Sequence, residues 1–294
     1  MVSELMRQEK MRAIEGLMFL TLKKSGNVKG RLAYNGKPTW QWIDKEDKAS
    51  PTVLTESIML LAGIDAAKNR DVMVLDIPNA FIQTPMPVAN ERIVMKVKGR
   101  LVDWLLELDG LAYSTYVVYE NGVKTLYLVL QKAIYGMLVA SMLWYRKFRK
   151  DLESIDFVFN EFDPCVANRV RDGNQHTIRY HVDDVISSHL NPKVNDEFAA
   201  WANKVYGKLK KVEVHRGRIH DYLGMRLDFQ QEKGKVHISQ FDHVADLIET
   251  WPEKLKQSEG AKTPAPSDLF EKGGGGLLGN VERELFHTIV MKGL

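Results

Sequence analysis

Apolar and polar positions alternate near the middle of the chain, and the alternation stops at two adjacent acidic residues. Ile178, Tyr180 and Val182 occupy every second position, which predicts a strand with one buried face. Asp183 and Asp184 follow immediately, and apolar residues resume directly after them. The pattern therefore predicts a hairpin with an Asp-Asp pair at its tip.

A second short segment is apolar without alternation. Every residue between Asp71 and Asp76 is apolar, which is typical of a strand covered on both faces. Pro78 follows closely and has no N–H group to donate to a neighbouring strand, so the strand cannot continue far. We predict a buried strand that places the carboxylate of Asp76 at its end.

Helical periodicity predicts two helices with buried faces. One apolar stripe, spaced by three or four residues, consists of Trp144, Phe148, Leu152 and Ile155. The start signal Asn191-Pro192 and the stop signal Gly207 bound a second helix. Its apolar stripe consists of Val194, Phe198, Trp201 and Val205.

Capping signals predict two more helices. Ser50 is a suitable N-cap with Pro51 at the first helical position, and both precede a stripe of Leu54, Ile58 and Leu61. Ser239, with Asp242 three residues later, predicts another helix start. The residues expected to face inward from that helix are Phe241, Val244 and Ile248.

Turn residues between short apolar runs predict several hairpins. The turns lie at residues 24–27, 121–122 and 172–174. The predicted flanking strands include residues 17–22, 30–34, 116–119, 125–130 and 165–170.

The composition supports an ordered protein. Of 294 residues 45% are hydrophobic and 9% aromatic, which supports a large core and excludes global disorder. A single cysteine, Cys165, excludes an internal disulfide and a Cys-cluster zinc site, and it fits a reducing compartment. Glu15 interrupts the apolar run near the start, so we expect no membrane span and an intracellular protein. A net charge of +3 permits a nucleic-acid partner without indicating one.

The acidic residues suggest metal chemistry once they are considered together. An isolated Asp-Asp pair is explained by the preference of Asp for turns. However, Asp76 is a third carboxylate delivered by the end of a buried strand. Carboxylates held close together repel each other unless a cation lies between them, and hard divalent cations favour oxygen ligands. Such an arrangement is typical of two-metal phosphoryl transfer.

Three segments together resemble successive motifs of reverse transcriptases. They are Leu75-Asp76-Ile77-Pro78-Asn79-Ala80-Phe81, then Leu130 to Gly136 followed by Leu143-Trp144-Tyr145, and finally Val182-Asp183-Asp184. The closest likeness is to the polymerase of copia-type retrotransposons. It runs from about Lys24 to the C-terminus, and it is specific because several motifs share the family's order and spacing.

The resemblance implies an α+β polymerase right-hand fold with fingers and palm, in which helices back one face of an antiparallel palm sheet. The expected organisation is an N-terminal polar segment (1–16), fingers and palm (17–255), and a flexible segment that starts a connection region (256–294). No carboxylate set for ribonuclease H and no zinc cluster of an integrase is found in the sequence. We therefore expect one segment of a larger polyprotein or a degenerate copy of one.

The implied activity is RNA-directed DNA polymerisation, a nucleotidyl transfer that extends a primer 3′-hydroxyl with dNTPs on an RNA or DNA template. Asp76 and Asp183 would bridge two Mg²⁺ ions, with Mn²⁺ as an alternative, and the carboxylates of Asp76, Asp183 and Asp184 are expected within reach of a common metal position. The backbone carbonyl of Ile77 would complete one coordination shell. If the strand continues through the Asp pair, Asp184 would lie on the opposite side of the pleat and would be the weaker ligand. By resemblance, the protein would act in a cytoplasmic virus-like particle.

The resemblance also assigns binding roles. The nucleotide-binding residues would be Lys24, Lys29, Arg31, Phe81, Gln131 and Gly136, with Phe81 excluding ribonucleotides by crowding the 2′ position. The hairpin that positions the primer would be Tyr222-Leu223-Gly224-Met225. A lysine that protonates pyrophosphate would be Lys208, Lys210 or Lys211, and the sequence leaves this choice open.

Two positions depart from the family. His181 occupies a place usually held by tyrosine, and Pro78 is unusual just after Asp76. Three interpretations remain: an active polymerase, a catalytically decayed nucleic-acid-binding protein with the polymerase fold, and a two-metal nuclease on another scaffold. Phe81 and the 131–136 motif argue against the nuclease.

Overall fold

Strands and helices alternate through the residues that the computed structural model describes, which are 12–22, 26–87, 92–250 and 277–293. The strands are β1 (Ile14–Leu22), β2 (Val28–Tyr34), β3 (Asp71–Asp76), β4 (Val94–Lys98), β5 (Val118–Glu120), β6 (Val123–Val129), β7 (Val158–Phe159), β8 (Val166–Arg171), β9 (Asn174–His181), β10 (Asp184–His189), β11 (Glu213–His215), β12 (Ile219–Tyr222), β13 (Met225–Asp228) and β14 (His237–Ser239). The α-helices are α1 (Thr55–Ala67), α2 (Arg100–Tyr113), α3 (Ala140–Glu153), α4 (Pro192–Tyr206), α5 (Phe241–Thr250) and α6 (Asn280–Gly293). The fold class is mixed α+β.

The largest sheet is antiparallel and has the strand order β11-β3-β10-β9-β8-β7. Strand β3 lies between β11 and β10, and its apolar residues are buried on both faces, as the sequence predicted. Strand β10 pairs with β3 on one side and with β9 on the other. The predicted hairpin is therefore confirmed, and it lies beside the strand that carries Asp76.

Helices cover both faces of this sheet. Alternate residues of a strand point to opposite faces. On one face Phe148 of α3 packs edge-on against Tyr180, with 4.9 Å between ring centroids. On the other face Asp65 of α1 binds Arg179, the preceding residue of β9, at 2.9 Å. The expectation of a sheet backed on one face only, and of a half-buried strand at 178–182, was therefore wrong.

A second sheet has the strand order β2-β1-β4-β6-β5. It is antiparallel except where β1 joins β4. In the described residues that parallel register consists of Ile14 with Met95 and Glu15 with Lys96. Val102 of α2 packs beneath this sheet in a separate apolar cluster. The β1–β2 hairpin thus extends well beyond its short attachment.

A small third sheet, β12-β13-β14, follows the largest one in the chain. Leu223 and Gly224 form the β12–β13 turn with positive φ angles of 50° and 75°, which confirms the predicted hairpin. Tyr222 and Met225 are buried against the main core. The small sheet therefore rests on the largest sheet.

Most predicted elements are confirmed, with corrections at helix starts. Stripes on α3 and α4 are buried or partly buried, and Asn191 caps α4 by accepting a hydrogen bond from the backbone N–H of Lys193 at 3.1 Å. Helix α1 begins at Thr55 rather than at Ser50. Ser239 ends β14 instead of capping α5.

The apolar side of α5 does not face inward, contrary to expectation. Phe241, Val244 and Ile248 are 76%, 47% and 51% exposed. Lys292 of α6 binds Asp246 of α5 at 2.8 Å, so polar contacts join these two helices. Most of the N-terminal segment 1–16 and the Pro- and Gly-rich part of 256–294 lie outside the described residues.

Candidate active site

Four polar residues form a line across neighbouring strands of the largest sheet. The register places Asp184 opposite both Asp76 and His181, and it places Glu213 opposite Asp76. Directly opposed residues of antiparallel strands present their side chains on one face. Three carboxylates and an imidazole therefore share one edge of that face. We call this group of Asp76, Asp184, Glu213 and His181 the acidic edge.

Asp183 lies in the turn between β9 and β10. Its backbone carbonyl accepts a hydrogen bond from the N–H of Ile77 at 3.0 Å, which ties the turn to the end of β3. Val182 also belongs to the turn rather than to the strand, with a φ of 54° that is uncommon for a β-branched residue. The strand does not continue through the Asp pair. Consequently Asp184, rather than Asp183, lies directly opposite Asp76, and the condition under which Asp184 was expected on the other side of the pleat does not hold.

The electrostatics of the carboxylates reflect burial and mutual repulsion. Burial, followed by the charges of Asp183 and Asp76, raises the pKa of Asp184 to about 6. Burial and the charge of Asp76 also raise the pKa of Asp183. His181 and Lys29 act in the opposite direction on Asp183. At both aspartates, the effects that raise the pKa therefore outweigh those that lower it.

The chemistry of these donors suits a hard divalent cation, because carboxylate and carbonyl oxygens are its preferred ligands. The arrangement is less complete than the sequence suggested. Among the described residues, no three His, Cys, Asp or Glu side chains are grouped so that they could hold one metal ion. The expectation that Asp76, Asp183 and Asp184 share a single metal position is not met.

An aromatic and basic cluster, which we call the wall, lies beside the carboxylates and consists of Phe81, Tyr135 and Arg31. The ring of Phe81 meets the ring of Tyr135 edge-on, with centroids 5.0 Å apart, and the guanidinium of Arg31 lies 5.6 Å from the Tyr135 centroid. Burial, then the charges of Asp183 and Asp76, raise the pKa of Tyr135, while Arg31 opposes the shift. The structure therefore brings Phe81 and Arg31 together next to the acidic edge.

Gly136 secures this wall through the backbone. Its φ of 84° is a conformation that glycine adopts readily, and a Cβ there would collide with the carbonyl oxygen of Tyr34. Tyr34 in turn donates its N–H to the carbonyl of Tyr135 at 2.7 Å. The backbone at Gly136 therefore lies in close contact with the backbone of Tyr34.

Of the remaining predicted nucleotide-binding residues, only Lys29 is linked to the carboxylates within the part of the chain that the structure describes. Lys29 lies on β2 and is exposed, and its charge acts on Asp183. Lys24 lies outside the described residues. Gln131 lines a mostly apolar cavity of about 520 Å³ together with Met86 and Leu130. Its backbone carbonyl accepts a hydrogen bond from the N–H of Met86 at 3.0 Å.

The β12–β13 hairpin contacts strand β10, which carries Asp184. The hydroxyl of Tyr222 donates to the backbone carbonyl of Asp184 at 3.3 Å. Tyr222 and Met225 are buried, so their side chains serve the core, while Leu223 and Gly224 form the turn. The predicted primer hairpin is therefore anchored to the acidic edge by its tyrosine.

Sequence reasoning missed two contributors. Tyr135 lies in the motif from Leu130 to Gly136 but was given no role of its own, and its ring contacts both Arg31 and Phe81. Glu213 lies on a three-residue strand, too short to show any periodicity. It forms an ion pair with Lys210, and Glu213 and Asp76 both raise the pKa of that lysine. Of the three lysine candidates, Lys210 is thereby linked to the acidic edge.

Comparisons with known proteins point to transposable elements. The chain is 24% identical over 256 residues to the Retrovirus-related Pol polyprotein from transposon TNT 1-94 of Nicotiana tabacum, covering 84% of this chain and 17% of the polyprotein. It is 22% identical over 222 residues to the Retrovirus-related Pol polyprotein from transposon RE1 of Arabidopsis thaliana, covering 75% and 13%. The chain therefore spans less than a fifth of the length of these relatives.

A structural comparison gives a weak likeness. A telomerase from Candida albicans, solved with a fragment of telomeric RNA, covers 81% of this chain and 48% of its own, with a TM-score of 0.38 and 8% identity. No protein-family model matches the chain. Within the described ranges, no helix has both the length and the apolar character needed to cross a membrane. The sequence similarities support an origin in a retrotransposon Pol polyprotein.

Proposed function

We propose that this chain is the RNA-directed DNA polymerase segment of a retrotransposon polyprotein of the copia type. The observation that carries the proposal is the junction of Asp76 with the Asp183-Asp184 turn on adjacent antiparallel strands. The largest sheet would be the palm, and the sheet containing β1 and β2 would belong to the fingers of a right-hand polymerase.

The acidic edge would hold Mg²⁺, or Mn²⁺, through Asp76, Asp183, Asp184 and the backbone carbonyl of Ile77. When bound, the metal ions would neutralise charge on the triphosphate and lower the pKa of the primer 3′-hydroxyl. The raised pKa values of Asp183 and Asp184 support this assignment, because burial and then repulsion between neighbouring carboxylates disfavour their charged forms, and a bound cation would relieve both effects. No protein nucleophile is required, since the primer supplies the attacking oxygen.

The surrounding side chains would position the substrates. Arg31 and Lys29 would bind the phosphates of the incoming dNTP, because both lie on β2, Arg31 beside the ring of Tyr135 and Lys29 close enough for its charge to act on Asp183. Phe81 would press against the sugar and exclude a 2′-hydroxyl. The β12–β13 hairpin would hold the primer end near Asp184 through Tyr222. Lys210, fixed by Glu213, would be the acid for departing pyrophosphate.

A catalytically decayed nucleic-acid-binding protein is the second candidate. His181 replaces the tyrosine that the resemblance expects, and it lies opposite Asp184 in the register. The lack of a ready grouping of three metal-binding side chains in the described residues also favours this alternative. It would retain template–primer binding through Lys and Arg contacts without extending the primer.

The deciding experiment is primer extension on an oligo(dT)-primed poly(rA) template with Mg²⁺ or Mn²⁺, combined with a direct template–primer binding assay. Extension that disappears in Asp183→Asn supports the polymerase. Binding without extension by the unsubstituted chain supports the decayed protein. If the folded, unsubstituted chain shows neither primer extension nor template–primer binding, both candidate functions are contradicted. The partners of this segment in the polyprotein would be integrase and ribonuclease H segments. Its location would be a cytoplasmic virus-like particle.

A further inference from the structure

A second charged cluster is sealed inside the molecule, away from the acidic edge. It lies between α1, the largest sheet and the β12–β13 hairpin, on the sheet face opposite α3 and α4. Its ionic members are Arg179 of β9, Asp65 of α1 and Arg70 just beyond α1, which are 0%, 1% and 4% exposed. Side chains of this kind are almost never buried so completely unless their charges are balanced.

The ionic contacts in this cluster do not balance. Arg179 donates from Nη1 to Oδ2 of Asp65 at 2.9 Å. Arg70 donates from Nη1 to the Thr177 hydroxyl at 3.3 Å and lies 3.5 Å from Oδ1 of the same Asp65. Two guanidinium groups, which remain protonated in proteins, thus share one carboxylate. The formal charge of the cluster is +1 (two positive, one negative).

The hydrogen-bond donors in the cluster also exceed their acceptors. Within the described residues, Nε and Nη2 of Arg179, Nε of Arg70 and the hydroxyl of Ser188 have no hydrogen-bond partner. Ser188 is fully buried, and it lies directly opposite Thr177 in the register, on the same sheet face. Buried N–H groups left without an acceptor are expensive, and native proteins rarely leave several in one place.

Two acceptor atoms are also unpartnered, but they do not remove the surplus. One is Oδ1 of Asp65, which already lies beside Arg70. The other is Nδ1 of His220. The Nε2 of this histidine lies 3.1 Å from the carbonyl of Gly217, which can only accept, so Nε2 carries the proton. Nδ1 is then an acceptor, and a positive charge remains without a counter-ion.

Water could satisfy free N–H groups, but it cannot neutralise a buried charge. We propose that this cluster binds a small inorganic anion of halide size between the guanidinium groups of Arg70 and Arg179. The anion would accept from the free N–H groups and from Ser188, and it would bring the formal charge of the cluster to zero. It would tie α1 to the strand that leads into the Asp183-Asp184 turn. This site is independent of polymerase activity.

Thermal unfolding without nucleic acid tests the proposal. Chloride or bromide replaces methanesulfonate, an anion too bulky for the sealed cluster, at constant ionic strength. We expect the melting temperature to rise by several degrees and to saturate with halide concentration, because an anion that binds only the folded state stabilises it by mass action. Arg70→Met removes the surplus charge and retains the Asp65–Arg179 pair, so its melting temperature should not respond.

The matched control is Arg146→Met, which removes an arginine that is 59% exposed and pairs with Asp47. This variant should keep the full halide response. A response that is equal in all three proteins, or that increases linearly without saturation, would overturn the proposal in favour of a general salt effect.

Bromide-soaked crystals of the unsubstituted chain give a second, independent test. An anomalous difference peak in contact with both guanidinium groups is the expected result. A map with ordered water only, and no bromide peak in the cluster, contradicts the proposal. This measurement decides the matter even where Arg70→Met fails to fold.

Discussion

The indole nitrogen of Trp144 donates a hydrogen bond to the backbone carbonyl of Val182, with 2.7 Å between the two atoms. Trp144 lies on α3, whereas Val182 forms the turn that presents Asp183. The turn holds a positive φ at a β-branched residue, a conformation that persists only where its surroundings enforce it. A core tryptophan therefore also shapes the acidic turn.

Trp144→Phe should reduce primer extension more than its effect on stability explains. It removes the donor to Val182 and leaves a partly buried carbonyl unpaired, which costs about 1 kcal/mol. Phe148→Leu is the control, since Phe148 stacks on Trp144 at 5.3 Å but belongs to the core alone. Extension rates and melting temperatures of both variants check the prediction. Equal losses of activity at equal stability would mean that the hydrogen bond has no role in the turn.

Asp76→Asn and Asp183→Asn should each abolish metal-dependent extension while template–primer binding stays nearly unchanged. The carboxylates would serve metal ions, whereas binding depends on cationic side chains and phosphates. Asp156→Asn is a suitable control, because its carboxylate is 82% exposed and pairs with Arg171 at 3.7 Å. If binding falls together with extension, the two aspartates have a structural role instead.

Asp184→Asn should stabilise the metal-free protein at neutral pH. The folded-state pKa of Asp184 is raised to about 6, so the folded protein holds this proton more tightly than the unfolded chain does. The resulting penalty is absent below about pH 4, grows as the pH rises, and is complete above about pH 6. After allowance for solvent screening, the gain from Asn is about 1 kcal/mol.

Chemical denaturation of the Asp184→Asn variant at pH 7.5 and at pH 4 checks this dependence. The stability difference from the unsubstituted chain should be present at the higher pH and vanish at the lower one. Asp156→Asn serves again as the exposed control. A gain of the same size at both pH values would show that charge repulsion is not its cause.

Phe81→Ala should admit ribonucleotides while deoxynucleotide incorporation continues. The ring of Phe81 is partly buried against Tyr135 and would act on the sugar by bulk alone. Phe81→Tyr keeps that bulk and should retain discrimination. Single-nucleotide incorporation kinetics with both sugars provide the measurement. Unchanged selectivity in Phe81→Ala would assign the ring to the core.

Local patterns predicted the two strand ends that carry Asp76 and the Asp183-Asp184 pair, because each strand end follows from nearest neighbours in sequence. The continuous apolar run of β3 and the broken alternation at Asp183 each indicated a strand end that carries a carboxylate. The register that brings Asp184 opposite Asp76 needed the structure, since no local signal determines which strands become neighbours.

Long-range contacts account for what the sequence did not reveal. Arg179 occupied a polar position of an alternating segment and was expected to face solvent, yet it is buried because it binds Asp65, 114 residues away in sequence. The amphipathic pattern of α5 was identified correctly, but periodicity shows only that a helix has an apolar side. It does not show whether another part of the chain covers that side.

The β1–β2 hairpin carries Lys29 and Arg31 on an arm whose parallel attachment to β4 ends at Glu15, within the described residues. From Glu15 to the end of β1 at Leu22 the strand extends for roughly 23 Å, at about 3.3 Å per residue. A small rotation at such a base becomes a large displacement at the tip, as in a lever. Binding a triphosphate and immobilising the arm would then be a single event. Amide hydrogen exchange at 18–22 and 28–31 should accordingly slow when dNTP and template–primer are added together, and an unchanged exchange rate would show that the arm is already rigid.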